Sequence, residues 1–245
     1  MFTTKETEHS FPVAISSSDK YIFVTKDKNV RGVEEFETNS RETFQLLPDV
    51  RGERDSIFIA GPTGCGKTRF SMEYLSLYKE LNPNNSVFII TSKPSDSTIN
   101  RYDFDFNILK IDEEYLVNPV DIREFKNAAV FFDDIDYVEN QEIRKYTKEL
   151  ARKCIGIGRE FGVTVLITSH LLTDYLKTRF ILNDCKYVVM FPNCGLKKGV
   201  TYFLKEYMSL DRMTITQILK LPSDWIVLHT RAPQFILYET GGAML

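Results

Sequence analysis

The amino-acid sequence predicts an α/β fold: a parallel-core sheet with helices on both faces, a β-rich N-terminal lead-in and a C-terminal β-hairpin. Three observations carry this expectation. From residue 56 onward, short continuous apolar runs alternate with segments of helical periodicity, the pattern of parallel strands buried on both faces. A glycine-rich turn stands between the first of these runs and the first helical segment. No Pro/Gly/Ser-rich linker, internal repeat or low-complexity tract interrupts the chain. The chain is therefore divided into a lead-in over 1–50 and one large domain over 51–245.

The elements follow in order. "YIFVT" (21–25) reads as a strand and "KDKNVRG" (26–32) as a polar turn. "SIFIA" (56–60) is the first strand of the core. Residues 67–80 carry apolar side chains at 70, 74, 77 and 78, which is helical spacing. "SVFII" (86–90), "NILKI" (107–111), "AAVFF" (128–132), "VTVLITS" (163–169) and "YVVMF" (187–191) are further strands. Between "AAVFF" and "VTVLITS", residues 139–160 place apolar groups at 143, 146, 150, 154 and 157 on one helical face. "DWIVLHTRAPQFILYET" (224–240) reads as two strands joined by a turn containing Pro233, an antiparallel addition at one sheet edge.

The 245 residues are 43% hydrophobic and 13% aromatic, enough for a sizeable core, and the net charge of −3 argues against a surface coated for nucleic acid while leaving room for a local basic patch. Cys65, Cys154, Cys185 and Cys194 show no C-x-x-C spacing, so neither a zinc site nor a disulfide framework is suggested. Free thiols, the absence of a signal-peptide core in "MFTTKETEHSF" and of any apolar run near roughly 18 residues lead to the expectation of a soluble intracellular protein without a membrane span.

The turn reads Gly61-Pro62-Thr63-Gly64-Cys65-Gly66-Lys67-Thr68, a full match to G-x-x-x-x-G-K-[ST], with Arg69 following in the first helical turn. Triphosphate oxygens need many donors at close range. Glycines let backbone N–H groups converge without Cβ clashes, and the helix that follows aims its positive end at the same point. Lys67 is expected to bridge the β- and γ-phosphates of ATP, and the Thr68 hydroxyl to ligate Mg²⁺. Cys65, beside Lys67 and the helix N-terminus, is expected to have a lowered thiol pKa, and it reads either as a reactive thiol or as a small side chain that the turn tolerates. Gly156, Gly158 and Gly162 do not make a dinucleotide fingerprint, because they precede a strand and their spacing is off by one.

A second acidic strand is what hydrolysis requires, and "AAVFFDDID" supplies it. Asp133 is assigned to Mg²⁺ and Asp134 to orienting or deprotonating the attacking water; Asp136 is a weaker candidate. "VTVLITSH" ends in Thr168, Ser169 and His170. If that strand lies between the first strand and the acidic one, His170 sits beside the γ-phosphate as sensor or water-holding residue.

The run 147–170, "TKELARKCIGIGREFGVTVLITSH", resembles the FtsK–HerA superfamily of ring-forming DNA-pumping ATPases. The matching features are the helix after the acidic strand, Gly158-Arg159, Phe161-Gly162-Val163, and a strand ending in a polar sensor. His170 stands where glutamine is usual. The short chain, the Asp-Asp pair and the lack of appended domains look most like the genome-packaging ATPases of large DNA viruses and virophages. The resemblance implies a P-loop NTPase of the ASCE, RecA-like kind over about 55–192. It further implies a homo-oligomeric ring, pentamer or hexamer, that drives double-stranded DNA through its channel, a capsid vertex or portal partner, and a location in the host cytoplasm or viral factory and the virion.

Lys145, Lys148, Arg152 and Arg159 fall on one stripe if the helix persists. An arginine supplied in trans accelerates hydrolysis by about 10³ to 10⁵. Arg159 is the first candidate and Arg152 the second, with Arg123 and Arg179 behind them. Candidate DNA contacts are Lys197 and Lys198 in "CGLKKG" and Lys93 and Arg101 in "SKPSDSTINR", both read as polar loops. Three other readings stay open: a helicase, secretion or conjugation ATPase; a nucleotide-dependent switch, disfavoured by the absence of an N/T-K-x-D motif; and a structural particle protein that binds nucleotide without turnover.

Overall fold

The structure, a computed structural model, describes residues 1–245 except 28, 39–41, 50–53, 94, 173–182 and 196. Its centre is six parallel strands: β6 (Ser56–Ala60), β7 (Val87–Thr91), β8 (Asn107–Lys110), β9 (Ala129–Asp133), β10 (Thr164–Ser169) and β11 (Tyr187–Met190). They run in the spatial order β11-β6-β10-β9-β7-β8, every adjacent pair parallel. Beyond β11 the sheet continues antiparallel through β12 (Ile226–His229), β13 (Phe235–Tyr238) and β14 (Gly241–Met244). The predicted hairpin, with Pro233 in its connection, is thus the first part of a three-strand meander. Gly241 and Gly242 conceal β14 from a hydrophobicity-based reading, since they put no side chain into the pattern.

The lead-in divides. β1 (Phe2–Thr3), β2 (Ser10–Ser16), β3 (Tyr21–Thr25) and β5 (Phe44–Leu46) form a small antiparallel sheet in the order β1-β3-β2-β5, whereas β4 (Glu35–Glu37) pairs with β14 and ends the large sheet. Alternation along the core strands sends side chains to two faces. On one face Phe58, Val130, Phe132, Val165 and Ile167 pack against α2 (Glu114–Val117), α3 (Gln141–Ile157), α4 (Lys197–Glu206) and α5 (Arg212–Ile218). On the other, Ile57, Ile59, Ile89 and Phe131 share a cluster with α1 (Lys67–Leu81) and with Phe2, Val13, Val24 and Leu46 of the lead-in.

Two helices differ in detail from their predicted faces. In α1 the buried set includes Met72 and Leu75 as well as Phe70, Tyr74 and Tyr78, while Leu77 is only half-buried. In α3 the buried groups are Ile143, Thr147, Leu150, Ala151, Cys154 and Ile155. Ile157, expected on that face, is exposed. The α-helix stops there and tightens into a 3₁₀ turn over Gly158–Phe161, as the glycines at 156 and 158 favour.

Candidate active site

The glycine-rich turn leaves β6 at its carboxyl end and enters α1. Gly66 has φ 105°, a left-handed conformation that side chains rarely adopt. A Cβ at Gly61 would lie 2.5 Å from Cys65 Sγ. Lys67 is buried and donates from Nζ to the carbonyls of Gly61, 2.9 Å, and Pro62, 3.1 Å. The ammonium therefore lies folded over the loop whose N–H groups would receive phosphate.

The acidic strand β9 ends two places from β6, and β10 lies between them. This order meets the condition on which the reading of His170 depended. Asp133 is fully buried. Its Oδ1 accepts from the Thr68 hydroxyl and from the Thr168 hydroxyl, both at 3.4 Å. Asp134 turns out of the strand with φ 49° and ψ 37°, a left-handed conformation held by a 2.8 Å hydrogen bond from its own N–H to Thr168 Oγ1. Strain of this kind concentrates at working positions. His170 Nε2 lies 3.1 Å from Asp134 Oδ1 and its Nδ1 lies 3.5 Å from the Thr63 hydroxyl, so it links the acidic strand to the phosphate loop. Tyr137 packs edge-on against its ring. Asp136 is directed away from this group: it accepts from Ser169 at 3.1 Å and pairs with Lys148 at 2.6 Å.

Sequence reasoning assigned Lys93 to a DNA-facing loop, and the structure places it elsewhere. Thr91, the last residue of β7, is the lateral neighbour of Asp133. Two residues further on, Lys93 reaches back across the strand ends. Its Nζ lies 3.0 Å from Asp133 Oδ2, 2.9 Å from Asp134 Oδ2 and 3.3 Å from Asp96 Oδ2. Burial opposes the charge on Lys93, but the hydrogen bond to Asp134 and the negative charge of Asp133 hold its pKa above the ordinary lysine value. Burial raises the pKa of Asp133, with Lys93 opposing that rise. Burial pushes Asp134 the same way, but there the lysine contact prevails and its pKa is lowered. The strand order, which brings β7 beside β9, was the missing signal: with it, a lysine two residues past "FIIT" is placed at the acidic pair.

Other expectations change as well. Burial raises the Cys65 thiol pKa and outweighs the nearby Lys67 charge, so the expected activation is reversed. Arg69 is exposed and paired to Glu73 at 2.8 Å; it borders a cleft of about 380 Å³ beside Gly64, Cys65 and Gly66 that reaches Trp225 and Gln45. Arg159 is not at this site. It lies on the 3₁₀ turn that hydrogen-bonds to Asn127 at the amino-terminal side of the sheet, where Arg54 donates to the carbonyls of Cys154 and Ile155. The cradle is at the opposite, carboxyl side. Arg152 instead borders a cleft of about 400 Å³ together with Ser169, His170, Arg144 and Lys148. Arg179 lies outside the described residues. Lys197 and Lys198 begin α4 and do not belong to a loop.

Thr68 and Asp133 present oxygen donors to one point, and a cationic ammonium already lies against the second Asp133 oxygen. The donor set suits a hard divalent cation that keeps water and phosphate oxygens as its remaining ligands. Among the described residues, no group of three His, Cys, Asp or Glu side chains is placed to hold a metal by itself.

No family model matches the chain. It is 34% identical over 195 residues to protein V3 of Sputnik virophage, with 78% of each chain covered. The chain belongs to the same family as that virophage protein, and its fold is that of the P-loop NTPases. The fold agrees. The DNA-packaging ATPase B204 of Sulfolobus turreted icosahedral virus is 12% identical, with 76% of this chain and 97% of that one covered and a TM-score of 0.53. The genome-packaging NTPase B204 of Sulfolobus turreted icosahedral virus 2, bound to ATP-gammaS, is 10% identical with the same coverage and a TM-score of 0.51. No helix among the described residues is long and apolar enough to cross a membrane.

Proposed function

We propose that the chain hydrolyses ATP to move double-stranded DNA, and that the DNA is a viral genome being packaged into a capsid. The observation that carries the hydrolytic part is the convergence of Lys67, Thr68, Asp133, Asp134 and His170 at the carboxyl ends of three adjacent parallel strands, where open α/β sheets hold their ligands. Thr68 and Asp133 would hold Mg²⁺, which supplies positive charge against the β- and γ-phosphates. Lys67 leaves the loop carbonyls for phosphate oxygens. Asp134 accepts the proton of the attacking water, and His170, already in contact with both Asp134 and Thr63, reports the γ-phosphate to the acid. The cleft between Gly64 and Trp225 takes the nucleoside.

The packaging part is supported by the viral source of the 34%-identical relative and by the genome- and DNA-packaging role of the B204 proteins that share the fold. In this reading the subunits form a ring. Arg159, on the face away from its own cradle, is available only to a neighbour's nucleotide. Lys197 and Lys198 share an exposed cleft on α4 with Tyr202 and Lys205, a basic and aromatic face suited to a phosphate backbone. The test is phosphate release with and without linear duplex, alongside the mass of the assembled species. We expect duplex-stimulated hydrolysis by a ring, falling about 10²- to 10⁴-fold in Asp134→Asn. A chain that binds ATP but gives the same slow release with duplex, without it and in Asp134→Asn would sink the motor reading.

A further inference from the structure

The oxygens around the acidic pair are unequally engaged. Asp133 Oδ1 faces Thr68 and Thr168, whereas Asp133 Oδ2 is taken by Lys93. Asp134 Oδ1 faces His170, whereas Asp134 Oδ2 is taken by Lys93. One ammonium thus bridges the carboxylate assigned to metal and the carboxylate assigned to water. The same ammonium has a further station, Asp96, at 3.3 Å. Asp96 is itself fixed, since its Oδ1 accepts from the backbone N–H of Thr98 at 2.7 Å and of Ile99 at 3.4 Å.

We propose that Lys93 is a displaceable counter-ion, which bridges Asp133 and Asp134 in the nucleotide-free site, keeps free divalent cation out, and withdraws to Asp96 when metal arrives with a triphosphate. This rests on the proposed Mg²⁺·ATP site and names its regulation. A hydrated cation alone must shed water to meet one carboxylate and one hydroxyl, and an ammonium already neutralises that carboxylate. Metal carried by ATP brings phosphate oxygens of its own and the binding energy of the glycine loop. Once Lys93 leaves, Asp134 Oδ2 is free to accept from water. Loading of metal and readiness of the water-activating acid are then a single event, so the empty site neither collects metal nor holds an activated water. Lys93 acts through the two aspartates and is a positioning residue.

The test reads metal binding in the full chain, without turnover. Mn²⁺ affinity is measured by EPR or calorimetry at pH 8, with and without AMP-PNP, for wild type, Lys93→Met, Lys93→Arg and Asp96→Asn, each first checked by thermal melt. We expect Lys93→Met to bind Mn²⁺ alone about tenfold or more tightly than wild type, so that AMP-PNP enhances its Mn²⁺ affinity less. Lys93→Arg should stay near wild type. Asp96→Asn keeps the Oδ1 acceptor but removes the charged station, so it should weaken Mn²⁺ binding in the presence of AMP-PNP while leaving the basal melt unchanged. Equal or weaker Mn²⁺ binding in a folded Lys93→Met overturns the proposal, as does unchanged AMP-PNP-dependent binding in Asp96→Asn should Lys93→Met not fold. Wild type that takes up no Mn²⁺ even with AMP-PNP overturns the nucleotide-site reading itself, a separate result.

Discussion

A lysine held between two aspartates occurs at both ends of the same parallel sheet, with different surroundings. At the carboxyl end, Lys93 bridges Asp133 and Asp134 and its side chain is 33% exposed. At the amino end, Lys186 lies 2.9 Å from both Asp49 and Asp55 and its side chain is 8% exposed. Asp55 precedes β6 and also accepts from the buried Tyr74 hydroxyl of α1 at 2.6 Å and from the Asp49 N–H at 2.9 Å. Burial opposes the Lys186 charge, but Tyr187 and the two aspartates keep its pKa well above the ordinary lysine value. The amino-end group ties lead-in, β6, α1 and β11 together, with both Asp55 oxygens and Asp49 Oδ2 committed to protein donors. The carboxyl-end group has a third station, an opening to solvent and a strained neighbour at Asp134. The same three charges serve as a fixed clamp where nothing can replace the cation, and as an exchangeable gate where something can.

The sharpest way to break this comparison is Lys186→Met. Removing one partner of a buried ion pair leaves uncompensated carboxylates, and we expect a loss of about 3–5 kcal/mol in denaturant unfolding. Added Mg²⁺ should not restore it. A loss below about 1 kcal/mol would mean that the clamp is no more structural than a surface pair.

Acid should act on the same end. His229 on β12 is the lateral neighbour of Tyr187, stacks on Phe235 with ring centroids 4.7 Å apart, and hydrogen-bonds through Nδ1 with the Pro233 carbonyl at 2.9 Å. Burial, joined by the Lys186 and Arg231 charges, lowers its pKa from 6.5 to about 4, although its backbone hydrogen bonds favour the charged form. The unfolded chain therefore takes up this proton first as pH falls. Stability is unaffected above about pH 6.5, falls progressively toward pH 4, and loses no more from this group below that. The whole window is worth about 3 kcal/mol. His229→Asn should flatten this part of the stability–pH curve; an unchanged slope would show that other groups set it.

The two ends were unequally legible in the sequence. The cradle, the Asp133-Asp134 pair and the strands that present them are local: each is a run of adjacent residues whose chemistry and period belong together. His170 needed one added fact, the strand order, and the expectation named that condition. Lys93, Lys186 and Asp49 were not legible because their meaning depends on which strands become neighbours. A lysine two residues past a strand reads as a polar loop until β7 is placed beside β9. Cys65 went wrong for the opposite reason: the neighbouring charge could be read from sequence, but the burial that outweighs it could not. β14 was hidden by its two glycines, and α3 fell short of Arg159 because Gly156 and Gly158 release the helix before the stripe is complete.

The smallest effect discriminates most between gate and clamp. Lys93→Met in metal-free buffer leaves Asp133 buried and Asp134 beside it, both without their shared cation. Solvent access to Lys93 screens that charge, so the expected loss of stability is about 1 kcal/mol, well below that of Lys186→Met. Millimolar Mg²⁺ should then return the variant to the wild-type melting temperature, because the metal takes the place that the lysine left. Wild type should shift little with the same Mg²⁺, its own ammonium being in the way. A Lys93→Met melt that ignores Mg²⁺ would make the carboxyl-end group a second clamp, and the contrast between the two ends of the sheet would disappear.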